Sequence, residues 1–401
     1  MSYDVDALRS HFPSLQSGIA HFDGPGGTQT PREVGEAMAA TLTGPLSNRG
    51  TGVLSERNAD AAVIAFRSAF ADFLGVPSNG VVYGRSATQL TMDVSRALAK
   101  TWGPGDEVVV SRLDHDCNVR PWIIAAESRG AAVRWIDFDP ETAEVEMSTV
   151  EAAIGPRTKV VAITGASNIL GTKPPIREIA ERAHAAGALL HVDGVHYAAH
   201  EFVDLAALGA DMFVCSPYKF LGPHCAVLGA SPALLETIHP DKLAPSTEVV
   251  PERFELGTLP YETLAGATAA VDFLAGIAPG HAADRRARLR NSFAAIDEHE
   301  LVMRTRIEER LASFGRDVVL HSRAGDRTPT LYITMPGRRT ADAAAFLVER
   351  NVQAPASHFY GWEPWLRLHL DDEGLRMGVA PYTNDEDVDR LLNGLAAFLG
   401  R

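Results

Sequence analysis

The fold of this chain is decided by residues 158–217. They read TKVVAITGAS (158–167), IREIAERAHAAGA (176–188), LLHVDG (189–194) and ADMFVCSP (210–217). Short runs rich in β-branched residues alternate here with an alanine-rich segment of helical periodicity. The alternation extends over residues 78–230. It is typical of βαβ units, and it predicts an α/β fold in which helices cover both faces of a mostly parallel sheet.

The pattern of predicted helices and strands changes after residue 262. A long charged helical pattern (288–314) is followed by the strand-like run TPTLYITM (328–335) and a final helical pattern (384–399). These features predict a smaller α+β domain. We therefore expect an N-terminal segment (1–20) that packs with the small domain, a large cofactor-binding domain (21–265) and a small C-terminal domain (266–401).

Composition limits the class of protein. The 401 residues are 46% apolar and 22% charged, as in soluble globular proteins. A formal net charge of −14 argues against nucleic acid and against an anionic membrane as partners. No stretch resembles a signal peptide or a membrane span. Three irregularly spaced cysteines make no disulfide framework, so we expect a reducing, cytoplasmic location.

The run HVDGVHYAAH (191–200) raises the possibility of a metal site. His191 and Asp193 share one face of a predicted strand, and His196 and His200 stand four apart, as ligands on a helix do. A zinc or iron site is therefore one interpretation of these residues taken alone.

Polar residues at other predicted strand ends indicate a different site. Ser86, Ala87 and Thr88 follow a strand and begin a helix, where backbone N–H groups suit a phosphate. Lys219 closes the strand ADMFVC, a setting that lowers the pKa of a lysine and makes it a nucleophile toward carbonyls. With the Asp193 carboxylate, these groups are what pyridoxal phosphate requires.

At this point the sequence resembles a known family, the class V aminotransferase and cysteine desulfurase-like family of pyridoxal-phosphate enzymes. Motifs in family order cover nearly the whole chain. They are HFDGPGGTQTP (21–31), SNRGTG (47–52), GRSAT (84–88), LDHDCNVRPW (113–122), SNILGT (167–172), HVDGVHYAAH (191–200), CSPYKFLGP (215–223), ELGTLPYE (255–262) and LRMGVAPYTNDEDVDRL (375–391). The resemblance implies fold type I, with a mostly parallel seven-stranded sheet in the large domain and a smaller α+β C-terminal domain.

The resemblance also implies a role for each matching residue. Lys219 binds the cofactor aldehyde and moves protons, Asp193 pairs with the pyridine nitrogen, and His115 stacks on the ring. The remaining implied contacts are to phosphate (Ser86, Ala87, Thr88, Ser216, and Thr258 from the partner subunit of a homodimer), to the ring hydroxyl and substrate carboxylate (Asn168) and to the substrate carboxylate (Arg376).

Two residues keep alternative interpretations. His196 stands where relatives place a glutamine that faces the cofactor hydroxyl, so it has either that role or a local structural hydrogen bond. Arg49 either reaches the substrate or forms a structural salt bridge. A pyridoxal-phosphate site accounts for Asp193 better than a metal site does, so we expect no metal. His191 is then expected to pack behind the sheet, and His200 to be a surface or helix residue.

The reaction is the least determined part. Family members that form a persulfide need a cysteine in the stretch that corresponds to NVQAPASHFYGWEPW (351–365), and no cysteine follows Cys225. Lys219 could still remove the α-proton of a small-molecule amino-acid substrate. We therefore expect a C–S lyase that acts on an S-substituted cysteine, with Phe359, Tyr360, Trp362 and Trp365 either covering the S-linked group or forming plain domain core. The alternatives are an aminotransferase, a decarboxylating or oxidatively deaminating enzyme, a desulfurase with a non-standard acceptor such as Cys117, and a non-catalytic pyridoxal-phosphate-binding protein.

Overall fold

The computed structural model of the chain describes residues 3–278, 280, 282 and 284–401. The first two residues of the expected N-terminal segment therefore lie outside the described residues. Within the described part, no helix is both long and apolar enough to cross a bilayer.

Seven strands form the large sheet, in the order β2-β8-β7-β6-β5-β3-β4. Only β8 runs antiparallel to the other six strands, so the sheet is mostly parallel, as predicted. The strands of the chain are β1 (Ala20–His21), β2 (Val81–Gly84), β3 (Glu107–Ser111), β4 (Ala132–Ile136), β5 (Thr158–Thr164), β6 (Leu189–Asp193), β7 (Met212–Cys215), β8 (Ala226–Ala230), β9 (Val319–Leu320), β10 (Thr330–Thr334), β11 (Val352–Gln353), β12 (Ala356–Ser357) and β13 (Gly374–Gly378).

Helices cover both faces of this sheet, which is why its central strands are buried along nearly their whole length. The helices of the chain are α1 (Val5–Arg9), α2 (Arg32–Thr43), α3 (Leu54–Leu74), α4 (Ala87–Ala99), α5 (Arg120–Glu127), α6 (Met147–Ala153), α7 (Ile176–Ala185), α8 (Leu205–Leu208), α9 (Pro232–Thr237), α10 (Tyr261–Leu274), α11 (Arg285–Ser313), α12 (Thr340–Val348), α13 (Trp362–Arg367) and α14 (Asp385–Leu399).

The C-terminal part contains an antiparallel sheet of order β12-β13-β10-β9 with α11, α12 and α14 around a separate core. The N-terminal segment joins this part, because Arg9 donates to the Tyr382 carbonyl and to Asp387, both at 2.6 Å. The predicted boundary at residue 265 falls inside α10, a continuous helix that packs against α2 and α3 beside the large sheet.

Candidate active site

A cavity of about 350 Å³ lies where the carboxyl ends of the parallel strands face the small domain. Ligands bind at such strand ends in open α/β sheets. The structure brings ten of the predicted site residues together around this cavity, namely Ser86, Ala87, Thr88, His115, Asn168, Asp193, His196, Ser216, Lys219 and Arg376.

Lys219 is the only lysine that lines the cavity among the residues the structure describes. It ends a single 3-10 turn, Pro217–Lys219, directly after Ser216 and β7. Its amine donates a hydrogen bond to the Pro25 carbonyl. Burial, followed by the positive charge of Arg376, lowers the pKa of Lys219 to about 7. A large fraction of the amine is therefore uncharged and nucleophilic near neutral pH.

Asp193 is the last residue of β6, and its carboxylate receives two hydrogen bonds. The Val195 N–H donates to Oδ1 at 3.0 Å, and the Cys117 thiol donates to Oδ2 at 3.3 Å. Burial raises the pKa of Asp193, and both donors act against that rise. Burial also raises the pKa of the Cys117 thiol well above its ordinary value. Cys117 is therefore a protonated donor that stabilises the Asp193 carboxylate.

His115 presents a neutral ring to the cavity. Its Nδ1 accepts the Cys117 N–H at 3.1 Å, which places the ring proton on Nε2. Burial, and then the charges of Lys219 and Arg376, lower the pKa of His115 to about 3. Its ring lies over that of Tyr360, with 5.7 Å between the centroids and 25° between the planes.

The first turn of α4 forms the predicted anion site. Ser86 caps this helix, because its hydroxyl accepts the Gln89 N–H at 3.1 Å. The N–H groups of Ala87 and Thr88 have no partner within the helix and lie at the positive end of its dipole. Ser216 lines the cavity from the end of β7. The arrangement suits a phosphate.

The histidines of residues 191–200 have separate surroundings. His196 Nε2 lies 3.0 Å from Thr328 Oγ1 and 2.9 Å from Thr330 Oγ1, whereas its buried Nδ1 has no partner. His196 thus makes a structural hydrogen bond, as one interpretation expects. Its unpartnered Nδ1 is still available for the cofactor hydroxyl, as the other interpretation expects. His191 is fully buried, with its ring 5.1 Å from that of Trp122.

Of the two expectations for His200, the surface position is wrong, and the residue directly follows the short 3-10 turn Tyr197–Ala199. Its side chain is buried, and Nδ1 lies 2.8 Å from the Glu300 carboxylate on α11 of the small domain. No group of three His, Cys, Asp or Glu side chains able to hold a metal ion occurs among the described residues.

Two predicted residues lie outside the cavity of a single chain. Arg49 pairs with Asp60 at 2.8 Å and with Glu252 at 3.2 Å. It therefore forms structural salt bridges, the second of the two roles expected for it. Thr258 is exposed and does not line the cavity. Its predicted contact with the cofactor of a partner subunit stays a prediction.

Several residues in or beside the cavity were missed or only loosely placed. Asp114 lies next to the cavity residue His115 in the chain but does not itself line the cavity; it is fully buried, and burial raises its pKa to about 8. Its position next to His115 was the available signal. Of the aromatic segment, His358, Phe359 and Tyr360 line the cavity, whereas Trp362 and Trp365 do not. Only the nearest part of that segment can therefore contact a ligand.

The residues present fit pyridoxal phosphate. Three buried polar atoms of cavity residues lack a protein partner: His196 Nδ1, Asn168 Oδ1 and Arg376 Nε. Such atoms are costly unless a ligand satisfies them. A helix N-terminus for the phosphate, an amine for the aldehyde and a carboxylate for the ring nitrogen line the same cavity.

Comparisons with known proteins agree with this geometry. The family model described as aminotransferase class-V matches residues 20–391. An aminotransferase-like protein of Gibberella zeae is 29% identical and covers 99% of both chains. A probable cysteine desulfurase of Vibrio cholerae is 28% identical over 98% of both.

Solved structures show the same fold. The cysteine desulfurase CsdA of Escherichia coli superposes with a TM-score of 0.87 at 24% identity, over 100% of this chain and 99% of that one. A C-DES mutant with glycine covalently linked to its PLP cofactor gives a TM-score of 0.80 at 19% identity, over 97% and 98%.

Proposed function

This chain belongs to the class-V aminotransferase family of pyridoxal-phosphate enzymes, and we propose that it is a C–S lyase. Its substrate is an S-substituted cysteine or a related amino acid, and its products are a thiol, pyruvate and ammonia. The enzyme class and the cofactor follow from the family, whereas the bond that is broken is the proposal.

The state of Cys117 is the observation that carries this proposal. Sulfur transfer to the protein needs an accessible cysteine thiolate. Cys117 is the only cysteine that lines the cavity within the described residues, and it is held as a thiol against Asp193. Residues 351–365 supply a hydroxyl, an imidazole and two aromatic rings to the cavity, but no thiol. The state of Cys117 therefore argues against a persulfide on the protein and supports loss of the substrate sulfur as a free thiol.

The side chains around the cavity can perform such an elimination. Bound pyridoxal phosphate supplies an electron sink for the charge that develops at the substrate α-carbon. Asp193 holds the proton on the pyridine nitrogen, and Arg376 binds the α-carboxylate. The Lys219 amine takes the α-proton. The C–S bond then breaks with its electron pair on sulfur, which the Lys219 ammonium protonates. Hydrolysis of the released aminoacrylate by water gives pyruvate and ammonia.

The wall of the cavity favours a substrate with a bulky group on sulfur. His358, Phe359 and Tyr360 line the same cavity as Lys219 and Asp193. Aromatic side chains provide large apolar contact surfaces in ligand sites. These residues would cover the S-linked group and exclude water from the reacting carbon.

The enzyme is also proposed to act as a homodimer with shared active sites. Four large apolar side chains of residues 42–64 are more than half exposed in the single chain: Leu42, Val53, Leu54 and Ile64. Apolar side chains concentrated in one exposed region are typical of protein interfaces. Leu256, in the same segment as Thr258, is a further exposed apolar side chain, with 58% of its surface accessible.

A variant that lacks all three cysteines tests whether turnover proceeds without a persulfide on the protein. Cys117→Ser keeps a donor to Asp193, while Cys215→Ala and Cys225→Ala remove the two remaining thiols. We expect this triple variant to release thiol and pyruvate from S-substituted cysteines at a rate within about tenfold of wild type, because only one hydrogen-bond donor has been exchanged. Loss of turnover in the variant, together with a persulfide on Cys117 of the wild-type protein by mass spectrometry, would contradict the proposal.

A further inference from the structure

Arg376 stacks on an aromatic ring of the small-domain segment that lines the cavity. The side chain is buried on β13, and its guanidinium carbon lies 3.7 Å from the centroid of the Phe359 ring. One guanidinium nitrogen, Nη1, donates to the Asn168 carbonyl at 2.9 Å. Nε has no protein partner. The guanidinium is thus held on one face and one edge, and it keeps hydrogen-bonding capacity for a carboxylate.

Asn168 links back to the same ring-bearing residue. Its side-chain Nδ2 donates to the Phe359 carbonyl at 2.9 Å. Rotating the amide by half a turn would bring two carbonyl oxygens together, so this contact fixes the orientation of the side chain. Arg376, Asn168 and Phe359 therefore form a closed set of contacts, in which each residue touches the other two.

The segment that carries Phe359 is attached to the large domain. Phe359 and Tyr360 have φ values of 49° and 55°, in the left-handed region that residues other than glycine rarely adopt. The Asp116 N–H donates to the Tyr360 carbonyl at 2.8 Å. Nearby, the Glu363 carboxylate pairs with Arg112 at 3.0 Å and with Arg120 at 2.7 Å. An unusual backbone held by several contacts is characteristic of functional segments.

We propose that Phe359 is a positioning residue, which fixes the Arg376 guanidinium for the α-carboxylate of the substrate. This inference rests on the proposed function, because it requires an amino-acid substrate. Phe359 acts through the face of its ring and through its carbonyl, so its contribution is specific to ligands that carry a carboxylate. A merely structural role would affect carboxylate-bearing and carboxylate-free amines alike.

The test compares two ligands of the holoenzyme, L-alanine and isopropylamine, which differ by a carboxylate in place of a methyl group. Their dissociation constants are read from the change that each produces in the visible absorption of the bound cofactor. In Phe359→Leu we expect about tenfold weaker binding of L-alanine, because the cation–π contact is lost. Binding of isopropylamine should be unchanged. Phe359→Tyr retains a ring face and should bind L-alanine within about threefold of wild type.

Two further variants make the test specific. Trp362→Leu removes a ring from the same segment outside the cavity and should leave both constants unchanged. In an Arg376→Gln background, adding Phe359→Leu should cause no further loss, since the two residues act as one unit. The inference is overturned if Phe359→Leu weakens both ligands in parallel, if it weakens L-alanine no more than Trp362→Leu does, or if Phe359→Tyr fails to restore binding. Failure of the proposed function is a separate result, namely wild-type protein that binds L-alanine but forms no thiol.

Discussion

Lys219→Ala is expected to abolish covalent attachment of pyridoxal phosphate and to lower turnover by about a thousandfold or more. The variant loses the one amine that lines the cavity among the described residues. It therefore loses both the attachment point and the base for the α-proton. Borohydride reduction followed by peptide mass spectrometry measures the attachment, and release of thiol from an S-substituted cysteine measures the turnover.

A second lysine serves as the control for this experiment. Lys159 pairs with Asp106 at 3.1 Å on the outer surface and is remote from the cavity. Lys159→Ala should keep the cofactor and its activity. If Lys219→Ala retained a reducible covalent cofactor, or turned over at the wild-type rate, the assignment of Lys219 would be wrong.

Asp193→Asn is expected to keep the fold but to slow turnover by about a hundredfold or more, since the ring nitrogen loses the carboxylate that keeps it protonated. Asparagine has nearly the same shape, and it can still accept the Val195 N–H that Asp193 accepts at 3.0 Å. The loss should therefore appear mainly in kcat. The visible spectrum of the bound cofactor should change as well, because protonation of the ring nitrogen changes.

Asp211→Asn is the matched control for that variant. The Asp211 carboxylate accepts the Leu190 N–H at 2.7 Å, away from the cavity, so its replacement tests the same chemical change without touching the site. Wild-type kcat in Asp193→Asn, or an equal loss in Asp211→Asn, would contradict the role given to Asp193.

The sequence predicted the site residues whose positions are set by the order of strands and helices along the chain. Asp193 ends a strand, and Lys219 and the turn that begins at Ser86 follow strands. The pattern of each strand is visible in the sequence, and carboxyl ends of parallel strands meet at one edge. The antiparallel direction of β8 was not predicted. Its apolar run at residues 226–230 reads the same in either direction, so pairing alone decides it.

Contacts between residues distant in the chain could not be predicted. His200 is buried because it meets Glu300, a hundred positions away on the other domain. Arg49 takes Glu252 as a partner across 203 positions. Phe359, whose backbone lies in the left-handed region, contacts Arg376 on β13. Spacing in the sequence carries no information on such contacts.

Product analysis of the wild-type holoenzyme is the most direct test of the proposed C–S lyase. The protein is incubated with L-cysteine, S-methyl-L-cysteine and S-benzyl-L-cysteine, and thiol or sulfide, pyruvate, ammonia, alanine and sulfur-containing keto acids are measured separately. The account predicts thiol, pyruvate and ammonia in equal amounts from the S-substituted substrates, with faster turnover of the benzyl compound. Alanine with a persulfide from L-cysteine, or a keto acid in which the C–S bond is intact, would contradict it.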